Sequence, residues 1–198
     1  MGEQLLLPGI EPPKARTDRV FFALQPPEPA ASAIAALSRQ LKADLGLKGK
    51  LIPVERLHVT LNFFGDHVGL PQGLLQALSD AAGELRFEPF DLVFDRVMSF
   101  KAGAGRKPPF VLRGGDEGLA PVMHFRRAID DVLARRGLAR SFDLRFTPHV
   151  TLMYGHKMVT EQAVAPITWR VSEFVLVDSL IGQGKHIVMG RWPSAQTN

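Results

Sequence analysis

The sequence predicts an α+β or α/β protein built as two similar halves, and three observations carry that expectation. About seven short apolar or alternating runs with strand character interleave with three stretches of helical spacing. Leu57-His-Val-Thr-Leu-Asn-Phe-Phe-Gly65 recurs as Pro148-His-Val-Thr-Leu-Met-Tyr-Gly155, which sets His58 and His149 91 residues apart in a chain of 198. Four consecutive identities, each followed within four residues by glycine, read as an internal duplication. Each half would hold a strand, a helix and a motif strand, and two facing halves would place the motifs on either side of a central cleft.

Residues 1–18 contain prolines, lack periodicity and read as a flexible N-terminal tail, which leaves 19–198 as a single bilobal domain. Arg19–Leu24 is a buried-strand run, stopped by Pro26, Pro27 and Pro29. Ile34, Leu37, Leu41 and Leu45 give a helix over Ala30–Leu45, ended by Gly46 and Gly49. Leu57–Phe64 is strand-like with Gly65 as its stop, and Leu70–Leu85 is a second helix. Strands follow at Phe90–Phe100 and Phe110–Arg113, with Lys101–Pro109 as the hairpin loop between them. Gly118–Arg136 is the third helix, Pro148–Tyr154 a strand, and Thr168–Ile181 with His186–Trp192 a final pair.

Composition narrows the chemistry. Apolar residues at 45% and charged residues at 22% suit a soluble globular protein rather than a disordered one. No apolar run approaches the ~20 residues of a membrane helix. Leu5-Leu6-Leu7 is too short for a signal-peptide core, so a cytoplasmic location is expected. Cysteine is absent, which excludes disulfides, thiolate nucleophiles and thiolate metal sites. The net charge of +4 is uneven: Lys101–Arg145 holds ten Lys/Arg against five Asp/Glu. Such a patch favours a phosphate-bearing partner, although Arg126, Arg127, Arg135 and Arg136 also suit the solvated face of a helix.

In a strand, residues i and i+2 share a face, so His58 joins Thr60 and His149 joins Thr151, while Val59, Leu61, Val150 and Leu152 point the other way. An imidazole beside a hydroxyl, presented twice, suits a phosphoryl group. Each Thr can donate to a non-bridging oxygen, and each His can move a proton near neutral pH. Cleavage of a phosphodiester without metal needs one neutral His to take a proton and one protonated His to give one. Nucleophile and leaving group lie roughly in line across phosphorus, so the two groups must approach from opposite sides. A metal site is disfavoured, because Glu55, Asp66 and Asp143 are the only carboxylates near the motifs. A duplicated structural strand with two satisfied histidines is the plain alternative.

The opening Arg19-Val-Phe-Phe-Ala-Leu24, the first motif strand and Phe146-Thr-Pro-His-Val-Thr-Leu152 resemble the 2H phosphoesterase superfamily. Within it they are similar to the bacterial RNA 2′,3′-cyclic phosphodiesterases, also called 2′-5′ RNA ligases. The resemblance runs from about Arg19 to Pro193. It implies two antiparallel sheets flanked by helices around a V-shaped cleft, and hydrolysis of RNA or nucleoside 2′,3′-cyclic phosphate to a 2′-phosphomonoester. It implies inefficient reverse 2′-5′ ligation as well. His58 would be the acid, His149 the base, and Thr60 and Thr151 the phosphate ligands, with no cofactor and no metal. Partners would be RNA ends or nucleotides bearing the cyclic phosphate, and a monomer is expected.

Relatives close to the type enzyme often carry Arg where this chain has Tyr154. Tyr154 itself, Lys185 and His186 of the Gly182–His186 turn, and Arg106 and Lys107 of the other basic loop are the candidates for the substrate contact. An ordinary hairpin turn would explain Lys185 and His186 equally well. His67 and His156 read as polar rim residues, His124 as a surface or boundary residue, Trp169 and Trp192 as packing, and Phe63 as core because it shares the face of Val59 and Leu61. Gln4-Leu-Leu-Leu-Pro8 is a short apolar peptide that tail composition explains, with docking on a partner protein as the other reading. The rival readings of function are an enzyme for another cyclic or 2′,5′-linked nucleotide and a noncatalytic RNA- or nucleotide-binding module.

Overall fold

A computed structural model describes residues 15–138 and 146–195. In chain order the elements are β1 (Asp18–Leu24), α1 (Glu28–Asp44), a 3-10 turn (Val54–Arg56), β2 (Val59–His67), α2 (Gln72–Glu84), β3 (Phe90–Ser99) and β4 (Pro109–Arg113). Then follow α3 (Asp116–Arg135), β5 (His149–Tyr154), β6 (Gln162–Val171), β7 (Glu173–Leu180) and β8 (Lys185–Pro193). The expected segments are present with ends moved by at most three residues, except the strand expected over Thr168–Ile181, which is broken at Ser172 into the last part of β6 and β7. The Leu5-Leu6-Leu7 peptide and Arg140, Asp143 and Arg145 of the basic segment lie outside the described residues.

Each element has a local cause. Proline is tolerated in a helix's first turn, where N–H groups lack partners anyway, so Pro27 and Pro29 start α1 rather than break it. The chain then turns at Gly46, whose φ of 60° suits a residue without a Cβ. Ala30, Ile34, Ser38 and Leu41 form the buried stripe of α1, and Leu119, Val122, Phe125, Ile129 and Val132 that of α3.

The sheet is fully antiparallel, in the order β6-β3-β4-β5-β2-β1-β7-β8. It divides into two four-stranded halves with the motif strands β2 and β5 at the centre. A single residue pair, Val59 opposite Val150, joins them. The two sheets implied by the sequence are thus halves of one ladder.

The halves are not contiguous in sequence, because β7 and β8 follow the second motif yet complete the sheet of the first. β6 and β7 stand far apart in the strand order but are connected through Ser172 alone. Two residues of chain span at most about 7 Å, so the sheet must curl strongly; it does not close into a barrel. Among the described residues eight strands form rather than seven. β6 is mostly exposed, carries Pro166 and lacks an apolar run, as an edge strand can.

One large apolar cluster unites the inward side chains of both halves with all three helices. It includes Phe22, Leu24, Val59, Leu61, Phe94, Leu112, Val150 and Leu152 with Ile34, Leu78 and Ile129. Trp169 stacks on Phe94 and Trp192 on Phe174, so both tryptophans are packing residues as expected. A smaller cluster, Phe21, Ala23, Val175 and Val177, lies on the opposite face of β1 and β7. That opposite face carries the motif histidines.

Candidate functional site

The Val59–Val150 pair sets the geometry of the site. Both valines are fully buried among the core residues. Strand alternation therefore turns His58, Thr60, His149 and Thr151 to the other face. One step along the antiparallel register brings His58 opposite Thr151 and Thr60 opposite His149. All four line one cavity of about 370 Å³.

The two imidazoles are held by the same device. Nδ1 of His58 donates to the Arg56 carbonyl at 2.7 Å, and Nδ1 of His149 donates to the Thr147 carbonyl at 2.7 Å. A carbonyl only accepts, so Nδ1 carries the proton in each ring and Nε2 is left for chemistry. In both cases the carbonyl belongs to the residue two before the histidine. In the first motif, Thr60 Oγ1 lies 3.1 Å from His58 Nε2 and donates to it when the ring is neutral.

Both rings sit against aromatics: Phe21 stacks on His58 at 4.9 Å, and Phe100 meets His149 edge-on at 4.9 Å. Burial pushes both imidazoles below the ordinary histidine range. For His58 the Arg56 carbonyl opposes this, while positive charge on His149 and Arg56 adds to it. For His149 the Thr147 carbonyl opposes and the Arg113 guanidinium adds. At neutral pH both rings rest uncharged.

Tyr154 reaches the cavity through a β-bulge. In the β4–β5 ladder, Val111 faces Thr151 and Phe110 faces Met153, so Leu152 is the extra residue. In the β1–β2 ladder, Ala23 faces Thr60 and Phe22 faces Asn62, so Leu61 is the extra residue. The bulge falls on the motif leucine both times. Each bulge reverses the alternation beyond it. Met153 and Asn62 become buried, while Tyr154 and Phe63 emerge at 50% and 53% exposure beside the histidines. The expectation that Phe63 is a core residue is thereby corrected: simple alternation fails across the bulge.

The other candidates separate cleanly. His186 on β8 lines the cavity, 5.2 Å from His58 ring to ring. Burial, followed by the positive charge of His58 and Arg56, pushes it down to about 4, so at neutral pH it is not a cation. Lys185, one residue earlier on the strand, is exposed and does not line the cavity. Arg106 and Lys107 lie in the β3–β4 loop, exposed, and do not line it either. Arg136 pairs with Glu84 and, with Arg127 and Arg135, faces outward on α3 as a solvated helix face. Arg126, by contrast, is largely buried, pairs with Asp130 and lines the apolar cavity that adjoins this one. His156 is exposed, His124 is exposed on α3, and His67 ends β2.

Sequence reading missed Phe21, Arg56 and Ser179, which also line the cavity. Arg56 had a signal, since it lies two residues before the first motif histidine. Ser179 had none, because only the β1–β7 pairing brings it there. A second cavity of about 860 Å³ adjoins the first through Thr60, Phe63 and His149. Its walls are mainly apolar, including Leu61, Met98, Phe100 and Phe146. No three His, Asp or Glu side chains gather as a metal-holding group among the described residues. Nor is any described helix long and apolar enough to cross a membrane.

Comparison with known proteins agrees with this geometry. Escherichia coli LigT, in a structure complexed with 3′-AMP, superposes with a TM-score of 0.67 at 26% identity, covering 91% of this chain and 99% of that one. LigT complexed with NADP+ gives a TM-score of 0.62 at 25% identity, covering 92% and 100%. TT0787 of Thermus thermophilus shares the fold, with a TM-score of 0.62 at 22% identity over 88% and 97% of the two chains. No curated protein matches the sequence significantly. The sequence model of the 2′-5′ RNA ligase superfamily matches residues 21–182, a span that contains both motifs and all of the sheet but β8 and the start of β1. The chain is a member of the 2′-5′ RNA ligase superfamily, with the fold of the LigT phosphoesterases.

Proposed function

We propose that this protein hydrolyses the 2′,3′-cyclic phosphate of a nucleoside or RNA end to a 2′-phosphomonoester by two-histidine acid/base catalysis, without a metal. The observation that carries the reading is the matched pair of imidazoles. Each is fixed through Nδ1 to a carbonyl, which leaves Nε2 as the proton-exchanging atom in a shared cavity that also holds Thr60 and Thr151. A noncatalytic cleft has no need of two such proton carriers. Nucleotides bound by LigT make a nucleotide the natural substrate class.

In the proposed reaction, His149 Nε2 takes a proton from water as its oxygen bonds to phosphorus. The P–O3′ bond breaks, and His58 Nε2 protonates the leaving oxygen. His58 ends neutral and His149 cationic, and proton exchange with solvent restores the pair. The bound anion raises the affinity of His58 for its proton, which offsets the burial that keeps it neutral at rest. Thr60 and Thr151 donate to the non-bridging oxygens, where charge grows in the transition state. With a 5′-hydroxyl in place of water, the same geometry joins it to the cyclic phosphate as a 2′-5′ bond, His149 taking its proton and His58 again protonating O3′. Cleavage of that bond back to the cyclic phosphate exchanges the roles. The 860 Å³ cavity beside His149 has room for the nucleoside or RNA attached to that phosphate.

The test is incubation of the protein with a 2′,3′-cyclic nucleotide and an RNA ending in one, in EDTA, with H58A and H149A alongside. We expect a 2′-phosphate product and a loss of about 10²–10⁴-fold in each variant. Binding without turnover, equal in wild type and variants, would instead identify a noncatalytic binding module.

A further inference from the structure

We infer that Arg56 is the cation that holds the substrate phosphate in the two-histidine cavity. The inference rests on the function proposed above and adds the residue that supplies positive charge. Two imidazoles neutral at rest and two hydroxyls offer hydrogen bonds but no formal charge to an incoming phosphodiester anion. The monoester product carries more negative charge still, so hydrolysis needs a cation that attracts the anion more strongly as the reaction proceeds.

Among the described residues the cavity has two cationic wall residues, Arg19 and Arg56. Arg19 is engaged elsewhere. Its guanidinium forks onto Asp66, at 2.7 Å and 2.9 Å, and lies 5.7 Å from the centre of the Phe63 ring. Arg56 has no such neutraliser. Its Nε is buried without a hydrogen-bond partner, and no described carboxylate pairs with it. A half-buried guanidinium left unpaired is costly unless an anion completes it.

The backbone fixes where that guanidinium starts. Arg56 closes the 3-10 turn, with its N–H bonded to the Pro53 carbonyl at 3.0 Å, and its own carbonyl orients His58. On the other side the guanidinium passes the β7–β8 turn, where a Cβ on Gly184 would lie 3.5 Å from Nη1. Its charge reaches His58 and His186, but it is not among the influences on His149. Tyr154 contributes a neutral phenol to the same cavity from β5. The two halves therefore divide the work, with the charge coming from the strand entry of the first motif. A planar, always protonated fork is the side chain best shaped for two phosphate oxygens.

The experiment uses the full chain and the variants R56Q and R56K, with inorganic phosphate as the binding probe. Affinity is measured by calorimetry, histidine titration by NMR, and kcat/KM with a 2′,3′-cyclic nucleotide. We expect R56Q to weaken phosphate binding and lower kcat/KM by about 10- to 100-fold, and R56K to recover part of both. Removing the charge should also raise the titration point of His58 and leave His149 in place, which a loss of general folding would not do. Wild-type phosphate affinity in R56Q, or no phosphate binding by the wild type, would overturn the assignment. If the wild type binds phosphate through Arg56 but turns over no cyclic nucleotide, the proposed reaction fails and the Arg56 site stands. If it turns over and R56Q does so equally well, the reverse holds.

Discussion

Around His58 the wall is crowded: Phe21 is stacked on the ring, His186 stands edge-on at 5.2 Å, Thr60 is bonded to Nε2, and Arg56 lines the same cavity. Around His149 there is one aromatic edge, Phe100, and the space opens into the larger apolar cavity. Its neighbouring guanidinium, Arg113, faces it from β4 and is paired with Glu161 at 3.4 Å. The backbone devices are nevertheless the same in both halves, from the carbonyl two residues before the histidine to the bulge at the motif leucine. Duplication has preserved what orients the reactive atoms. What differs comes from other strands, and those differences favour a charged, closed side for the phosphate and an open side for the rest of the substrate.

The largest effect that can break this comparison is on the threonines. T60V and T151V should each lower kcat/KM by about 10- to 100-fold if both hydroxyls serve the phosphate. They should differ in one respect. The Thr60 hydroxyl is hydrogen-bonded to His58 Nε2, so its removal should move the NMR titration point of His58, whereas T151V should leave His149 unmoved. Equal histidine shifts in the two variants would mean that the halves are not distinguished in this way.

Next comes the join itself. V59A and V150A each hollow the fully buried core at the single ladder pair between β2 and β5. Each should cost about 1–3 kcal/mol in urea unfolding. The double variant should depart from additivity, since the side chains are neighbours. Simple addition would show that each valine serves only its own half.

The smallest effect concerns pH. His186 titrates in the unfolded chain near 6.5 but near 4 in the native protein. Below pH 6.5 the unfolded state therefore binds the extra proton, and the stability linked to His186 declines as pH falls towards 4. Wild type should lose more urea midpoint than H186F between pH 7.5 and 5. An equal loss would mean that the first-half cavity does not bury His186 as described.

Much of this was legible in the residues. The repeated tetrapeptide identified both histidines and both threonines, because face sharing at i and i+2 is a local rule. The helices were legible from their apolar spacing. Phe63 was not, because the Leu61 bulge is defined by pairing with β1 and leaves no mark in a pattern of alternate residues. Nor was the fate of the basic loop: Arg106 and Lys107 remain on an exposed hairpin, while a lone arginine before the first motif lines the cavity.

The sequence by itself determined the chemistry available: two imidazole–hydroxyl pairs on strands, no thiol, and a two-half α+β architecture. These follow from residue identity and short-range periodicity. Only the tertiary structure decided that β7 and β8 complete the first half, that the two bulges turn Phe63 and Tyr154 outward, and that Arg56 rather than Lys185 or Arg106 lines the cavity. Each of those outcomes depends on which distant strand lies alongside. Backbone pairing is made by groups common to every residue, so its partners are selected by the packing of the whole sheet.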